Sequence, residues 1–562
     1  MDSHSRTVLV IGAGPSGLVL ALSLLKNGVS VRIIEKDYAT HVGQRGAGVM
    51  PRSLELYNLL GILPDILESS AASLPMQSYE LPGGTEPLKT WRMSPIEEPT
   101  SGTPWPNAAM IAQARTVTIL RSHLHAFACD VELGTRLVSF DQKADHVVAN
   151  LAKMIDGTEV METVKVGWLV GADGAHSTVR KQLGLPFIGE TRNERFVIAD
   201  VHLQGLDMHH LHLFGGGPSG TILIWPSEIK SGNLMTVYIV GGDVDYEKLS
   251  SDYDAFKEYF HAKMGRPDIV LGECTWVTDY RPSIRMVDRF QDGRIFIVGD
   301  AGHVHPLTGG QGLNTSIQDS FNLAWKLALV AKGQASPDLL LSYTEERLPV
   351  IAEVLNISTA ILNKTSTAAK GDHDHWKRGG PLSQLGVNYR WSSIVVDQRA
   401  RALDPQIGEE HSSGANDSYG MHSDTVVHAG DRAPDASCLV NTLTKEEKTL
   451  FQLFGVSFHT AVFFSVSGGE DSRLRESLTR YPAEALHRIT ILSSLGDHVD
   501  LVSLGAEVFY DSQGHAYRNY ATGDTSTIII VRPDGMVGAI VHDEVGLDKY
   551  FQAITFQPSI YK

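Results

Sequence analysis

The sequence contains two glycine-rich loops beside acidic residues, a combination suited to binding a dinucleotide. The first loop, GAGPSG, covers residues 12–17, and Glu35 ends the apolar run that comes after it. The second loop, TGGQG, covers residues 308–312, and Asp300 ends the apolar run that comes before it. Backbone N–H groups at the start of a helix bind phosphate, and a carboxylate such as Glu35 accepts hydrogen bonds from ribose hydroxyls. These residue types indicate a ligand that carries phosphate and ribose.

The elements around the first loop form a predicted βαβ unit. Val8–Ile11 and Val31–Ile34 are short apolar runs typical of buried strands, and Leu18–Leu25 is apolar at helical spacing. Such a unit places the loop between a strand end and a helix N-terminus, where a pyrophosphate binds. The glycines allow, in order, a tight turn, a close approach of backbone to the ligand and close packing of the helix: Gly12, Gly14 and Gly17. The alternative is a tight connection that binds nothing.

The second loop follows another apolar strand and precedes a long helix. Residues 293–300, GRIFIVGD, read as a buried strand, and the helix is predicted from about Ser316 to Lys332. A nicotinamide-dependent dehydrogenase needs only one glycine loop, so two loops indicate one extended ligand held at both ends. His303 and His305 have a spacing found among metal ligands, but no carboxylate cluster accompanies them. We therefore expect both histidines to anchor the loop and expect no metal site.

Composition excludes several other classes of protein. The chain has 562 residues, of which 42% are hydrophobic and 20% charged, and such a length suits about three or four globular domains. The formal net charge of -17 at pH 7 opposes nucleic-acid binding. No apolar run approaches the roughly 20 residues of a membrane span, and no signal sequence is expected. Three dispersed cysteines offer no disulfide framework, so we expect a cytoplasmic protein.

Three motifs occur together and in one order: GAGPSG, GADGAHSTVR at residues 171–180 and GDAGHVHPLTGGQGLNT at residues 299–315. On these motifs the chain resembles the FAD-dependent aromatic hydroxylases, single-component flavoprotein monooxygenases, and in particular their phenol hydroxylase branch. The resemblance implies an α/β fold with a Rossmann-like FAD-binding domain, an inserted antiparallel β-sheet substrate domain and a C-terminal thioredoxin-like α/β domain. In the second motif Asp173 would help to organise FAD, and a simple turn pair of Asp173 with Arg180 is the alternative.

The resemblance also assigns the cofactor site. In relatives the position of Asp300 binds the ribityl chain of FAD, and the loop from Gly312 to Asn314 packs against the isoalloxazine ring. A helix N-terminus there would stabilise the anionic edge of the reduced flavin. Arg45 and Gln113 match positions that contact FAD in relatives. The predicted FAD-binding residues are Gly12, Gly14, Pro15, Ser16, Gly17, Glu35, Lys36, Arg45, Gln113, Asp173, Asp300, Pro306, Gly310, Gly312, Leu313 and Asn314.

The segment between the second and third motifs is predicted to form the substrate side. FVIADVHL, TILIWPSE and LMTVYIVGG read as antiparallel strands, which in relatives cover the flavin. Tyr238 and Arg281 are the candidate catalytic residues, the first to hold or deprotonate a substrate hydroxyl and the second to stabilise a phenolate. Phe214 and Trp225 could line the same pocket, although aromatic residues on strands more often belong to the core. Simple-phenol hydroxylases carry aspartate where this chain has Ala47, so substrate activation needs other groups.

The activity implied by the resemblance is hydroxylation of a phenolic substrate through a flavin C4a-hydroperoxide. NADPH or NADH would reduce FAD, O2 would supply the oxygen atom, and the protein would exclude water. The extra domain favours a polycyclic or polyketide-like substrate of secondary metabolism by analogy with the family. Epoxidation, Baeyer–Villiger insertion, a non-catalytic flavin-binding scaffold and assembly as a homodimer stay open. The WxWxIP motif of flavin-dependent halogenases is absent.

The predicted organisation has a discontinuous FAD-binding domain, a substrate domain and a C-terminal domain. The C-terminal part restarts an alternation of strands and helices, with a hairpin turn at residues 533–535. It contains a single cysteine, Cys438, so the CxxC chemistry of thioredoxin is excluded and a structural or dimer-supporting role is expected. The predicted boundaries are 1–75, 108–185 and 281–400 for the FAD-binding domain, 76–107 and 186–280 for the substrate domain, 401–424 for a linker and 425–562 for the C-terminal domain.

Overall fold

The structure is a computed structural model. It describes residues 7–39, 48–155, 157–216, 220–227, 232–367, 376–399, 417–420, 426–465, 472–493, 506–520, 522 and 525–554. Two residues that the sequence singled out, Arg45 and Ala47, lie outside the described residues.

Several helices begin with proline in the first turn, where the missing N–H costs no hydrogen bond. No helix within the described ranges combines the length and the apolar composition needed to cross a bilayer. The helices are α1 (Pro15–Lys26), α2 (Pro51–Leu60), α3 (Leu63–Ser69), α4 (Gln113–His125), α5 (Thr178–Gln182), α6 (Tyr246–Ser251), α7 (Tyr253–Met264), α8 (Gly312–Ala331), α9 (Leu341–Thr367), α10 (Ser472–Ser477), α11 (His515–Asn519) and α12 (Glu544–Ile554).

The strands form a mixed α/β fold with these helices. They are β1 (Val8–Ile11), β2 (Val31–Ile34), β3 (Gly48–Val49), β4 (Ala71–Ala72), β5 (Met76–Tyr79), β6 (Lys89–Trp91), β7 (Ala109–Met110), β8 (Thr135–Gln142), β9 (Val147–Ile155), β10 (Thr158–Val166), β11 (Trp168–Gly171), β12 (Ile188–Thr191), β13 (Phe196–Gln204), β14 (Leu211–Gly215), β15 (Thr221–Pro226), β16 (Leu234–Val240), β17 (Val270–Tyr280), β18 (Ser283–Met286), β19 (Gln291–Asp292), β20 (Ile295–Ile297), β21 (His303–Val304), β22 (Val396–Asp397), β23 (Leu439–Asn441), β24 (Glu447–Lys448), β25 (His459–Ser465), β26 (Leu486–Leu492), β27 (Glu507–Asp511), β28 (Thr527–Val531) and β29 (Val537–Val541).

The first sheet has the order β19-β20-β11-β1-β2, and β20, β11, β1 and β2 run parallel. The predicted strands β1 and β2 are confirmed at the expected residues; all four side chains of β1 are buried, as are Ile33 and Ile34 of β2. Helix α1, which follows the first glycine loop, packs along α8, which follows the second. Two loops remote in sequence are thereby brought to neighbouring helix ends.

The prediction around the second loop was partly wrong. Strand β20 ends at Ile297, because Gly299 with φ 60° begins a 3-10 turn that carries Asp300. Helix α8 begins at Gly312, four residues before the predicted start at Ser316. Glycine disfavours a helix by propensity alone, but side-chain hydrogen bonds from Asn314 secure this first turn, and tertiary contacts override propensity.

The second large sheet has the order β17-β13-β16-β15-β14-β5-β6. The three strands predicted from FVIADVHL, TILIWPSE and LMTVYIVGG are β13, β15 and β16, and their antiparallel pairing is confirmed. One face of the sheet packs against α7 through a buried cluster that includes Val201, Val237, Phe256 and Phe260. The side chains of the other face alternate with these along each strand.

The third large sheet has the order β22-β29-β28-β25-β26-β27-β23-β24. The predicted hairpin is confirmed, since β28 and β29 pair antiparallel on either side of residues 532–536. The buried apolar cluster of the first sheet continues into this sheet through Phe463, Ile528 and Ile530. Strand β22, at residues 396–397, also pairs with β29. The C-terminal part is therefore packed through a common core, and the domain boundaries above stay a prediction.

Candidate active site

One cavity of about 2080 Å³ meets both glycine loops. Gly12 and Gly14 line it from the first loop, and Gly310 and Gly312 line it from the second. The first residues of the two neighbouring helices, Pro15 of α1 and Gly312 of α8, also line it, so both helix N-termini are near this space. The arrangement suits one extended ligand that touches both loops, as the sequence predicted.

Most of the predicted site residues line this cavity. Gly17 and Asn314 do not line it, and Arg45 lies outside the described residues. The predicted residues that line it are Gly12, Gly14, Pro15, Ser16, Glu35, Lys36, Gln113, Asp173, Tyr238, Arg281, Asp300, Pro306, Gly310, Gly312 and Leu313.

Glycine is present at the three positions of the first loop for different physical reasons. A Cβ added at Gly12, which has φ 102°, would lie 2.3 Å from the carbonyl oxygen of Ala172. A Cβ added at Gly17 would lie 2.1 Å from the carbonyl oxygen of Gly12. At Gly14 an added Cβ would meet no atom within 4 Å among the residues that the structure describes. Packing therefore requires Gly12 and Gly17, whereas Gly14 leaves open space on the cavity where a ligand can approach the backbone.

The carboxylate of Glu35 is fixed beside the first loop. Its Oε2 accepts a hydrogen bond from the N–H of Ala13 at 2.9 Å, and its Oε1 accepts one from the N–H of Asp37 at 3.2 Å. These bonds tie the end of β2 to the start of α1. The remaining lone pairs are available to hydroxyl groups in the cavity.

Asp173 and Arg180 do not form the turn pair considered as an alternative. Asp173 Oδ2 accepts hydrogen bonds from the N–H groups of Thr178 at 2.7 Å and Val179 at 3.2 Å, so it caps α5. Its Oδ1 is buried with no partner among the described residues, and burial raises the pKa of this carboxyl. Arg180 instead donates to the carbonyl of Ala301 at 2.9 Å, which ties the second motif to the third.

The side chain of Asn314 fixes the conformation of the second loop through hydrogen bonds to the backbone. Its Nδ2 donates to the carbonyls of Gly48 at 2.9 Å and Gly310 at 2.8 Å, and its Oδ1 accepts from the N–H of Met50 at 2.8 Å. The side chain is fully buried and its hydrogen-bonding groups are occupied within the protein. Its role is therefore to fix the conformation of the loop rather than to line the cavity.

The two histidines of the third motif anchor the chain. His303 Nε2 lies 2.6 Å from Asp319 Oδ2, and His305 Nδ1 lies 3.1 Å from the carbonyl oxygen of Pro306. Burial lowers the pKa of His305 to about 4, so its ring is neutral at neutral pH. In the part of the chain that the structure describes, no group of three His, Cys, Asp or Glu side chains is arranged to hold a metal ion.

Asp319 and Arg347 support the turn that carries Asp300, and the sequence reasoning missed both. Asp319 Oδ2 also accepts from the N–H of Gly299 at 3.1 Å, and its Oδ1 accepts from Arg347 Nε at 2.7 Å. Both side chains are fully buried, and the neighbouring charge of Arg347 lowers the pKa of Asp319 against the opposing effect of burial. The available signal was an aspartate at a position of helix α8 that the apolar pattern places in the core, where a charged side chain needs a partner.

The C-terminal hairpin inserts a second set of charges beside these helices. Arg532 donates to both oxygens of Glu346 on α9, at 2.7 and 2.9 Å, and also binds Asp534. Lys326 on α8 donates to Glu346 at 2.7 Å, and Trp325 Nε1 donates to Asp534 at 3.1 Å. Two cations thus face two anions in a buried cluster, the condition under which buried charges are tolerated. The hairpin therefore braces α8 and α9.

The sheet face opposite α7 closes the other side of the cavity. On this face, one residue from each of five neighbouring strands lies in register with the next, and together these residues form a row across the sheet. Trp225 on β15 lies one row further along, and its ring centroid is 4.5 Å from that of Tyr238. We call this row with Trp225 the sheet wall. Its members, all on the cavity, are Leu213, Leu223, Tyr238, Ile198, Thr278 and Trp225.

Phe214 belongs to the core, which is the alternative that the sequence favoured for aromatic residues on strands, and not to the pocket lining. It is fully buried on the far face of the sheet, stacked on Tyr79 at 4.7 Å, and it does not line the cavity. Its neighbours Leu213 and Gly215 line the cavity instead, because side chains alternate between the two faces of a strand. The register that decides the face comes from pairing with β15 and β5, which a single strand does not reveal.

Three polar groups stand where the sheet wall approaches the second loop. Burial, with the nearby Asp200 and Tyr280, holds the pKa of Tyr238 well above 10, so its phenol stays protonated at neutral pH. Arg281 is exposed on the cavity. Tyr280, which the sequence reasoning passed over, also lines the cavity and is hydrogen-bonded to the backbone of Leu307; burial raises its pKa.

Comparisons with known proteins agree with this geometry. Residues 5–358 match the family model described as FAD binding domain. A flavin-dependent monooxygenase of Mycobacteroides abscessus is 36% identical over 76% of this chain and 84% of its own. Pentachlorophenol 4-monooxygenase of Sphingobium chlorophenolicum is 26% identical over 98% of this chain and 95% of its own. A crystal structure of a ternary complex of aklavinone-11 hydroxylase with FAD and aklavinone shares the fold, with a TM-score of 0.77 and 23% identity over 98% of this chain and 100% of the other. The chain therefore belongs to the FAD-dependent aromatic hydroxylases, a family of flavoprotein monooxygenases.

Proposed function

We propose that the protein is an NAD(P)H-driven, FAD-dependent monooxygenase that hydroxylates a multi-ring phenol. One observation carries the proposal: a single cavity of about 2080 Å³ joins the first glycine loop and the N-terminus of α8 to the sheet wall. Pockets for one drug-sized ligand have volumes of roughly 300–1,000 Å³, so this cavity has room for two ligands. A dinucleotide suits the glycine loops and an aromatic substrate suits the sheet wall.

The residues that line the cavity around the two glycine loops fit FAD. The open space at Gly14 suits the pyrophosphate, and the fixed carboxylate of Glu35 suits the ribose. Asp300 suits the ribityl chain, and the N-terminus of α8 at Gly312 would stabilise negative charge on the reduced ring. When bound, FAD supplies the redox chemistry that passes electrons from NAD(P)H to O2. Completing the proposed site on the cavity are Gly12, Pro15, Ser16, Lys36, Gln113, Asp173, Pro306, Gly310 and Leu313.

The dimensions and chemistry of the sheet wall favour a planar substrate of several rings. Adjacent strands lie about 4.8 Å apart, so the five strands of the wall span about 19 Å, several times the width of one phenol ring. Leu213, Leu223 and Ile198 offer a flat apolar surface, and Trp225 offers an aromatic one. Such a surface excludes water from the reaction and orients the substrate rings.

Tyr238 and Arg281 are proposed to act on the substrate hydroxyl. Because the pKa of Tyr238 lies well above 10, its phenol can donate a hydrogen bond but does not take a proton at neutral pH. This revises the base role considered from the sequence. Arg281 would favour the ionised phenolate electrostatically, which makes the ring a better nucleophile. In this proposal the base is solvent or the substrate is acidic enough to ionise itself.

We further infer that the C-terminal part is thioredoxin-like. Its central strand order β26-β25-β28-β29, the parallel pairing of β25 with β26, and the antiparallel hairpin β28–β29 followed by α12 support this assignment. It carries no CxxC motif in the sequence, so we propose a supporting role without disulfide exchange. The contacts of Arg532 with Glu346 support that role.

Turnover with labelled oxygen tests the proposed function. FAD-loaded protein is mixed with NADPH and ¹⁸O2, alone and with emodin, anhydrotetracycline or pentachlorophenol. We expect a phenol to accelerate NADPH consumption and to gain one labelled oxygen atom, measured by mass spectrometry. Gly14→Leu, which fills the space proposed for the pyrophosphate, should bind no FAD and show no turnover. If no phenol changes the rate, or if all consumed O2 appears as H2O2, the proposed function is wrong.

A further inference from the structure

The residues that follow β16 form a firmly held edge of the cavity. The phenol of Tyr246 accepts a hydrogen bond from the N–H of Gly241 at 3.1 Å and donates one to its carbonyl at 2.8 Å. The guanidinium of Arg195 lies 4.9 Å from the centroid of the Tyr246 ring, and it forms an ion pair with Asp279. The backbone at Gly241 is therefore fixed in place through both of its polar groups.

The two glycines of this edge differ in what the fold demands of them. A Cβ added at Gly241 would lie 3.1 Å from the Cα of Gly220, so close packing of two strand ends favours glycine there. Gly242 lines the cavity and is exposed, its φ lies outside the left-handed region, and an added Cβ would meet no atom of the described residues within 4 Å. Neither the backbone conformation nor packing against the part of the chain that the structure describes explains glycine at position 242.

Gly14 gives an internal precedent for such a residue. It too lines the cavity, has no left-handed φ, and has no atom of the described ranges within 4 Å of an added Cβ. There the dinucleotide motif supplies the reason, because a side chain would occupy the space that the pyrophosphate needs. By the same physical argument, the space beside Gly242 is needed by a ligand rather than by the protein.

The surroundings of Gly242 indicate the chemistry of what fills this space. Thr221, Tyr246 and Arg195 line the cavity near this edge and carry polar groups, whereas Leu213 and Leu223 deeper on the sheet are apolar. The cavity thus changes from apolar over the sheet wall to polar at the edge. A ligand that spans both regions has apolar rings and a hydrogen-bonding substituent.

We propose that Gly242 is a specificity-determining residue, whose absent side chain leaves room for a polar substituent on a multi-ring phenol. The inference rests on the proposed function. It predicts that the size of residue 242 decides whether substituted multi-ring substrates bind, while substrates of one ring and FAD itself are unaffected. The side chain of Leu at this position would occupy the space that the substituent needs, so the two could not fit without displacement of one of them.

Binding titrations of FAD-loaded protein test this proposal. Gly242→Leu should weaken the binding of anhydrotetracycline, followed by fluorescence quenching, by about tenfold or more, and Gly242→Ala should weaken it less. Pentachlorophenol, a single ring, should bind the variants and the wild type within about twofold, and the FAD affinity should not change. Lys248→Leu is the control, since it places the same side chain on the neighbouring helix α6, at an exposed residue that does not line the cavity.

Every result of these titrations either supports or overturns the proposal that Gly242 determines specificity. Weakening of anhydrotetracycline binding in Gly242→Leu alone supports the proposal. Equal weakening of both probes in Gly242→Leu, equal effects of Gly242→Leu and Lys248→Leu, or no effect of either variant would overturn it. If neither anhydrotetracycline nor emodin binds the wild type, the proposed function itself fails and takes this inference with it.

Discussion

Asp319→Asn is predicted to weaken both the fold and the binding of FAD, because Asp319 holds the turn that carries Asp300. One carboxylate oxygen accepts from the N–H of Gly299 and from His303, and the other accepts from Arg347. An asparagine keeps one accepting oxygen and replaces the other by an N–H donor. At least one of these bonds is therefore lost, and the buried charge of Arg347 loses its carboxylate.

The magnitude follows from the burial of the pair. Removing one partner of a buried ion pair costs about 3–5 kcal/mol. Arg347 keeps two other acceptors, the hydroxyl of Tyr389 at 2.9 Å and the carbonyl of Thr315 at 3.1 Å. We therefore expect the free energy of unfolding to fall by about 3–4 kcal/mol. FAD affinity should fall by about tenfold or more, because binding must then reorder the turn itself.

Two measurements check this prediction. Urea unfolding followed by tryptophan fluorescence gives the loss of stability, and titration of cofactor-free protein with FAD gives the affinity. Asp254→Asn makes the same chemical change at a side chain that is 84% exposed and pairs with Lys257, so its stability should change by less than about 0.5 kcal/mol. An Asp319→Asn protein that matches this control in both measurements would refute the reasoning.

Three further changes have defined outcomes. Glu35→Gln should weaken FAD binding by about tenfold or more in the same titration, because the amide brings a donor to a site where the carboxylate accepts from the N–H of Ala13. Tyr238→Phe should slow turnover by about tenfold at most and leave the shape of the pH–rate profile unchanged between about pH 6 and 9, because the pKa of Tyr238 lies well above 10. Burial raises the pKa of Asp435 from 3.8 to about 6, so the stability that this carboxyl contributes is complete below about pH 4 and is lost as the pH rises through about 6. Asp435→Asn, which stays neutral, should therefore gain roughly 2–3 kcal/mol relative to the wild type between about pH 4 and 8 in urea unfolding.

For each of these three variants, a contrary result would show which physical assumption is wrong. Unchanged FAD affinity in Glu35→Gln would mean that this carboxylate does not face the cofactor, and Glu159→Gln on an exposed strand serves as its control. A shift of the pH–rate profile in Tyr238→Phe would restore the tyrosine as a proton acceptor. Stability curves of Asp435→Asn and the wild type that stay parallel with pH would show that the carboxyl is better solvated than its burial implies.

The local elements of the dinucleotide cradle were readable from the sequence. Strand β1, the loop at Gly14 and helix α1 are decided within about 20 residues, because apolar periodicity and glycine positions act over that range. The order of the three motifs likewise indicated the family, which the comparisons confirm. The start of α8 was predicted wrongly because its first turn is stabilised partly by hydrogen bonds between Asn314 and the backbone of Gly48 and Met50, which are distant in the sequence.

The sequence by itself determined that the first glycine loop lies between a strand and a helix, since this depends on neighbours a few positions apart, and the order of three remote motifs indicated the FAD-dependent family. Only the tertiary structure decided that Phe214 faces the core and Leu213 the cavity, that Asp319 and Arg347 hold the Asp300 turn, and that Arg532 braces α8 and α9 from the C-terminal hairpin. The physical reason is that strand register and buried ion pairs join residues distant in sequence, and their partners are selected by packing and desolvation of the whole chain.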